Sequence, residues 1–346
     1  MNEAENIVSI HPRFNDEFFG FDKIEDLFLN LLNKKSISNA YLFNGVKGIG
    51  KATFAYRLAR CLLKKKENTK LLDSLYTSKE SNLFKSIANL SHPDINIIEA
   101  NLEKKKISIE NLKPLKKNIY VTSLESDYKV IIIDSLDDFA IQSKKQSFSS
   151  LLKLLEDCPS NCIFFLISHS LQNVPDTIKS RCQKIYFNPI PRATLRKWFE
   201  NSKLVDKKNI DVLINLSNGS LGRALNIVNN NIFFDVYNCA NEVIFNFKDI
   251  SKTQINSLFS MYNKDLSIDD FLLVIQINII EAIKKEIEGQ KNVDKEVIEI
   301  FINLFFEINK KINNSKTFEL DSVQIINTVE YIFIKKSEQL KKYKNG

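Results

Sequence analysis

The sequence predicts an α/β domain with a largely parallel sheet and a phosphate-binding loop, followed by a small helical domain and a longer all-helical one. Three observations predict it. The first 190 residues alternate helix-like and strand-like segments. A glycine-bearing loop sits between an apolar strand and an apolar-faced helix. Beyond Pro189 and Pro191 the pattern is helical throughout. At 346 residues the chain is twice or more a typical domain of ~150 residues, and the pattern divides it at 1–188, 189–232 and 233–346.

Taken in order, Ile24, Leu27, Phe28, Leu31 and Leu32 recur at helical spacing and predict a helix over Ile24 to Leu32. A strand follows at Ala40 to Asn44, then the loop Gly45 to Gly50. A helix over Lys51 to Leu63 has Phe54, Leu58 and Leu62 every four residues. Residues 64–90 are rich in Lys, Asn and Ser and read as a solvated excursion with a helix near Ser81 to Ala88. The apolar runs Ile95 to Ile98, Val130 to Ile133 and Ile163 to Ile167 read as strands covered on both faces, the last two as inner strands. Later, Leu304, Phe305 and Ile308 share a helix face within Phe301 to Ile308, which suits either an oligomerisation surface or an ordinary core.

Hydrophobic residues at 44% and charged residues at 26% match globular usage and argue against global disorder. No apolar run reaches the ~20 residues of a membrane span, and the start, MNEAENIVSI, lacks a signal-peptide pattern. A cytoplasmic protein without a membrane partner is expected. The five cysteines are odd in number and scattered, which argues for reduced thiols. Cys158 and Cys162 lack a second Cys or His pair, so no metal site is expected. The net charge of +7 suits contact with a phosphate backbone and equally a lysine-rich solvated surface, so it decides nothing.

Gly45-Val-Lys-Gly-Ile-Gly-Lys51 matches the phosphate-loop pattern in its required strand-to-helix setting. Gly45, Gly48 and Gly50 would let backbone N–H groups face phosphate oxygens, and Lys51 would add a point charge. The pattern continues with Ser or Thr, whose hydroxyl ligates Mg²⁺, but here Ala52 follows. Thr53 lies ~100° further around the helix and is a poor substitute. Lys129-Val-Ile-Ile-Ile-Asp134 has the form of a Walker B strand, delivering Asp134 to the sheet edge near the phosphates. The next residue, Ser135, cannot serve as a carboxylate base. Both absences point against ATP hydrolysis by this chain, leaving a loop that binds ATP or ADP weakly or not at all.

Ile163-Phe-Phe-Leu-Ile-Ser-His169 is followed by Val174-Pro-Asp-Thr-Ile-Lys-Ser-Arg-Cys182. With Asn39-Ala-Tyr-Leu-Phe43, Ser91-His-Pro-Asp94, Leu151-Leu-Lys-Leu-Leu-Glu-Asp157 and Gly219-Ser-Leu-Gly-Arg-Ala-Leu225, the chain resembles the AAA+ clamp-loader subunits of bacterial DNA polymerase III. The order and spacing are similar to the delta-prime branch over residues 11–225, beginning with His11-Pro12-Arg13. The resemblance implies an AAA+ domain, a helical lid and a C-terminal collar. It implies a stationary place in a pentameric ring with delta and the ATPase gamma/tau subunits. That ring, a component of a DNA-directed DNA polymerase, loads the sliding clamp onto primed DNA.

Within the Ser-Arg-Cys triplet, Arg181 matches the family's arginine finger, which reaches a neighbour's nucleotide in trans. A guanidinium suits that task because it is always charged and forks onto phosphate oxygens; locally, Arg181 could instead pair with a carboxylate at a helix end. Arg223 falls where relatives carry a sensor arginine, and could touch phosphate or cap a helix. Ser168 and His169 depart from the family's polar sensor, Ser135 departs from its catalytic Glu, and His92 is given no catalytic role. Many delta-prime chains carry a four-cysteine zinc module, but residues 62–90 contain no cysteine, so no zinc is expected. The stretch Ser135 to Ser150 is longer than the pattern and adds Lys144 and Lys145, where relatives present helices to DNA. Three rivals stay open: an active ATPase rescued by Thr53 and Asp137, another P-loop NTPase, and a scaffold in which Arg181 is structural.

Overall fold

The computed structural model describes residues 11–64, 71–100, 106–139, 144–230, 232–262, 266–289, 294–318 and 321–344. The opening MNEAENIVSI and part of the 135–150 stretch, at 140–143, lie outside them. The chain forms two compact units, one comprising residues to Leu204 with Ser217–Leu225, the other Val205–Leu216 with Asn226 onward.

The first unit is an α/β fold. Its elements are α1 (Asp22–Asn33), β1 (Ala40–Asn44), α2 (Lys51–Leu63), α3 (Asn82–Ala88), β2 (Ile95–Glu99), α4 (Lys113–Asn118), β3 (Lys129–Asp134), α5 (Lys144–Glu156), β4 (Cys162–Ser168), α6 (Asp176–Lys179), β5 (Gln183–Tyr186) and α7 (Arg192–Ser202). All strands are parallel, in the order β2-β3-β4-β1-β5. The inner strands are β1, β3 and β4, and their side chains alternate between two buried faces as the two-residue strand period requires. On one face Tyr41, Phe43 and Phe165 join Phe28 of α1, Phe54 of α2 and Phe187 in an aromatic cluster, with Phe43 stacked on Phe165 at 5.4 Å. On the other, Leu42, Ile131, Ile133, Phe164 and Leu166 pack with Phe148, Leu151 and Leu154 of α5. The edge strand β5, unforeseen in the sequence, leaves Gln183, Lys184 and Tyr186 exposed. Leu27 of α1 is also exposed despite its helical spacing.

Two anchors brace this unit. Asp94 is fully buried and accepts bonds from the Leu124, Glu125 and Ser126 amides and the Ser126 hydroxyl at 2.8–3.0 Å. Burial opposes its charge, but these bonds prevail and hold the carboxyl below its ordinary value. Arg60 of α2 is buried, donates to the Asn15 and Arg13 carbonyls, and lies 3.9 Å over the Phe84 ring. The segment before α1 is thereby tied to the core.

The chain continues with α8 (Ile210–Ser217) and α9 (Leu221–Val228), and sequence boundaries of the units fall within these two helices. The second unit continues with α10 (Ile232–Phe245), α11 (Lys252–Ser260), α12 (Ile268–Gly289), α13 (Lys295–Phe318) and α14 (Ser322–Lys344). Phe247, Phe259, Phe271, Phe301 and Phe333 interlock in its core. Leu304 and Ile308 are fully buried there too, so the face read from their spacing is core, whereas Ile302 and Phe306 on α13 are exposed. No described helix is long and apolar enough to cross a membrane.

Candidate functional site

The phosphate loop joins β1 to α2 at the C-terminal edge of the sheet, as its sequence setting requires. Gly50 caps α2 at φ 109°, a left-handed geometry that favours glycine. Lys51 is buried and turned back on its own loop, donating to the Gly45 carbonyl at 2.6 Å and the Val46 carbonyl at 2.8 Å. Burial lowers its pKa to about 8, against the pull of Asp134 and Asp137. The next two loop carbonyls are held by the segment that opens α9. Ser220 Oγ donates to the Lys47 carbonyl at 3.0 Å, and the Gly222 amide to the Gly48 carbonyl at 2.9 Å. Any side chain on Gly222 would strike the Gly48 carbonyl, its Cβ falling 2.6 Å from the oxygen. Four successive loop carbonyls are therefore satisfied by the protein itself. Arg223, from the same segment, has its amide bonded to Ser220 Oγ at 3.2 Å.

At the neighbouring strand ends, burial raises the Asp134 carboxyl to about 6, with Asp138 and Glu99 adding to the shift and Lys51 opposing it. Glu99 stands beside Asp134 in strand register and binds His11 at 3.1 Å and Arg13 at 3.3 Å. Ser135 is fully buried and donates to Asp138 at 3.0 Å, an interior bond rather than a site for a water-activating base. Asp137 accepts the His169 amide at 2.6 Å and the Asn173 side chain at 3.1 Å, which ties the β3 end to the β4 end. Burial, then the nearby Lys51 charge, drives the His169 imidazole down to about 4, so it is neutral near pH 7. Ser168 is buried and donates to the Ser170 carbonyl at 3.0 Å.

The fold thus gathers Gly45, Gly48, Gly50, Lys51, Asp134 and the Arg223 segment at one edge. Thr53 lies half-buried in the first turn of α2. Ala52 stands where a magnesium-ligating hydroxyl would be needed, and Lys51 is engaged with the carbonyls of its own loop. Among the described residues no group of His, Cys, Asp or Glu side chains is arranged to hold a metal ion. His92 is buried and accepts the Asp94 amide at 3.1 Å.

Arg181 follows α6 and stands apart from this edge, its side chain 40% exposed. One Nη donates to the Thr177 carbonyl at 3.1 Å, and the other pairs with Glu156, the last residue of α5. Sequence reasoning allowed for a local carboxylate without identifying Glu156, since only the fold brings the end of α5 to α6. It also found the Gly219-to-Leu225 segment without foreseeing its seat on the phosphate loop.

A family model described as "DNA polymerase III, delta subunit" matches residues 21–191. The gamma/tau subunit of DNA polymerase III from Mycoplasma genitalium is 28% identical over 271 residues, covering 76% of this chain and 41% of that protein. The delta' subunit from Bacillus subtilis is 30% identical over 213 residues, covering 61% of this chain and 60% of that protein. The chain thus spans less than two thirds of the length of these relatives. Among solved structures, a gamma subunit-related protein from Thermotoga maritima is similar with a TM-score of 0.44 and 12% identity, covering 89% of this chain and 99% of that one.

Proposed function

We propose, from the family-model match over residues 21–191 and the likeness to delta' and gamma/tau subunits, that the chain is a delta-prime-like clamp-loader subunit that hydrolyses no ATP. In this reading it donates Arg181 to the nucleotide of a neighbouring ATPase subunit. One contrast supports the reading: the chain's own phosphate loop carries Ala52 where a magnesium-ligating hydroxyl is needed and turns Lys51 onto its own carbonyls, while Arg181 is held at the surface. A guanidinium presented from outside stabilises the charge that develops during phosphoryl transfer, worth roughly 10³ to 10⁵ in rate.

The partners follow from the family. They are the gamma/tau and delta subunits, the sliding clamp reached through the complex, and primed DNA. ATP or ADP would bind the relic loop weakly if at all, no zinc is required, and residues 233–346 would form the ring's collar.

The test is ATP turnover by the chain alone and by its assembly with cognate gamma/tau, delta and clamp on primed DNA. The lone chain should be inactive, and Arg181→Ala should slow the assembly without dissolving it. Turnover by the lone chain would refute the reading. The Arg181–Glu156 pair favours one alternative, a scaffold in which this arginine is structural. That alternative requires Arg181→Ala to leave assembly and turnover both intact.

A further inference from the structure

We propose that Glu156 is the resting holder of Arg181, a positioning residue that keeps the guanidinium at the surface and yields it to phosphate when a neighbour docks. The proposal rests on the trans-finger reading. Glu156 ends α5 and Thr177 lies in α6, so the two contacts on Arg181 come from different helices and fix both Nη atoms. Lys179, the nearest other cation along α6, is committed to Asp176 at 2.7 Å. Among the described residues Glu156 forms an ion pair with Arg181.

The strength of this pair suits an exchange. Its side chains are 40% and 41% exposed, which places it among surface ion pairs that solvent keeps weak. Such a contact orders a long side chain without burying its charge, and a polyphosphate with several acceptor oxygens outcompetes one carboxylate for the fork. While it persists, the carboxylate competes with the neighbour's phosphate. Removing its charge should favour the docked state by the small worth of the pair.

The experiment is a double-mutant cycle on ATP turnover of the full assembly, comparing wild type, Glu156→Gln, Arg181→Ala and the double variant. The amide keeps the shape of Glu156 and removes its charge. Glu156→Gln should raise kcat/KM for ATP about two- to fivefold, and the gain should vanish when Arg181 is already Ala. A purely structural Glu156 would act alike in both backgrounds. If Arg181→Ala slows turnover while Glu156→Gln leaves kcat/KM unchanged or lowers it, the holder is refuted and the finger stands. If Arg181→Ala has no effect, both fall.

Discussion

The phosphate loop and the Arg181 corner belong to the same unit and solve opposite problems. At the loop, four successive carbonyls and the Lys51 ammonium are satisfied from within the chain. Buried backbone polar groups must find partners, and here the protein supplies them for the loop carbonyls, with the Lys51 ammonium turned onto two of them. At Arg181 the partners are one carbonyl and one half-exposed carboxylate, contacts that cost little to exchange. One region is bonded inward, while the other is held at the surface by contacts that exchange readily.

The contrast can be broken in several places. The largest effect is expected at the exposed end: in the trans reading, Arg181→Ala should lower hydrolysis at the one neighbouring site it faces by about 10³-fold or more, read by single-turnover ATP hydrolysis at that site. At the closed end, Gly222→Ala should cost about 1–3 kcal/mol in thermal or denaturant unfolding, because its Cβ meets the Gly48 carbonyl. In an open helix the same change would stabilise by up to ~1 kcal/mol, so the sign itself reports whether α9 seals the loop.

A smaller, pH-dependent effect is expected at Asp134. Its carboxyl titrates near 6 in the fold against an ordinary 3.8, so the folded state holds its proton more tightly than the unfolded chain. That contribution is full below about pH 4 and is lost as pH rises through about 6. Asp134→Asn should therefore stabilise by about 1–2 kcal/mol near pH 7.5 and not near pH 4, measured by melting at both values.

Much of the first unit was legible in the sequence because its signals are local. The spans of β1 and α2 coincide with the periodicity, and β2, β3 and β4 extend their apolar runs by one residue at one or both ends. Strand β5 escaped because Gln183-Lys-Ile-Tyr186 carries exposed side chains on an edge and forms no apolar run. The site residues on β1, α2 and β3 were recognisable because the strand-loop-helix setting fixes their geometry. Glu156 and the Ser220–Gly222 latch were not, since each depends on elements distant in sequence meeting in space. On α13, periodicity marked a buried face at Leu304 and Ile308 but could not say what covers it, and the cover is the unit's own core.

In the trans reading, phosphate chemistry runs through Arg181 and not through the chain's own loop. ATP turnover separates the two when assemblies carrying Lys51→Met are compared with those carrying Arg181→Ala. Lys51→Met should leave turnover within about twofold of wild type, because Lys51 bonds its own loop, while Arg181→Ala slows it severely. The reverse result, with Lys51→Met disabling the assembly and Arg181→Ala silent, would contradict the claim.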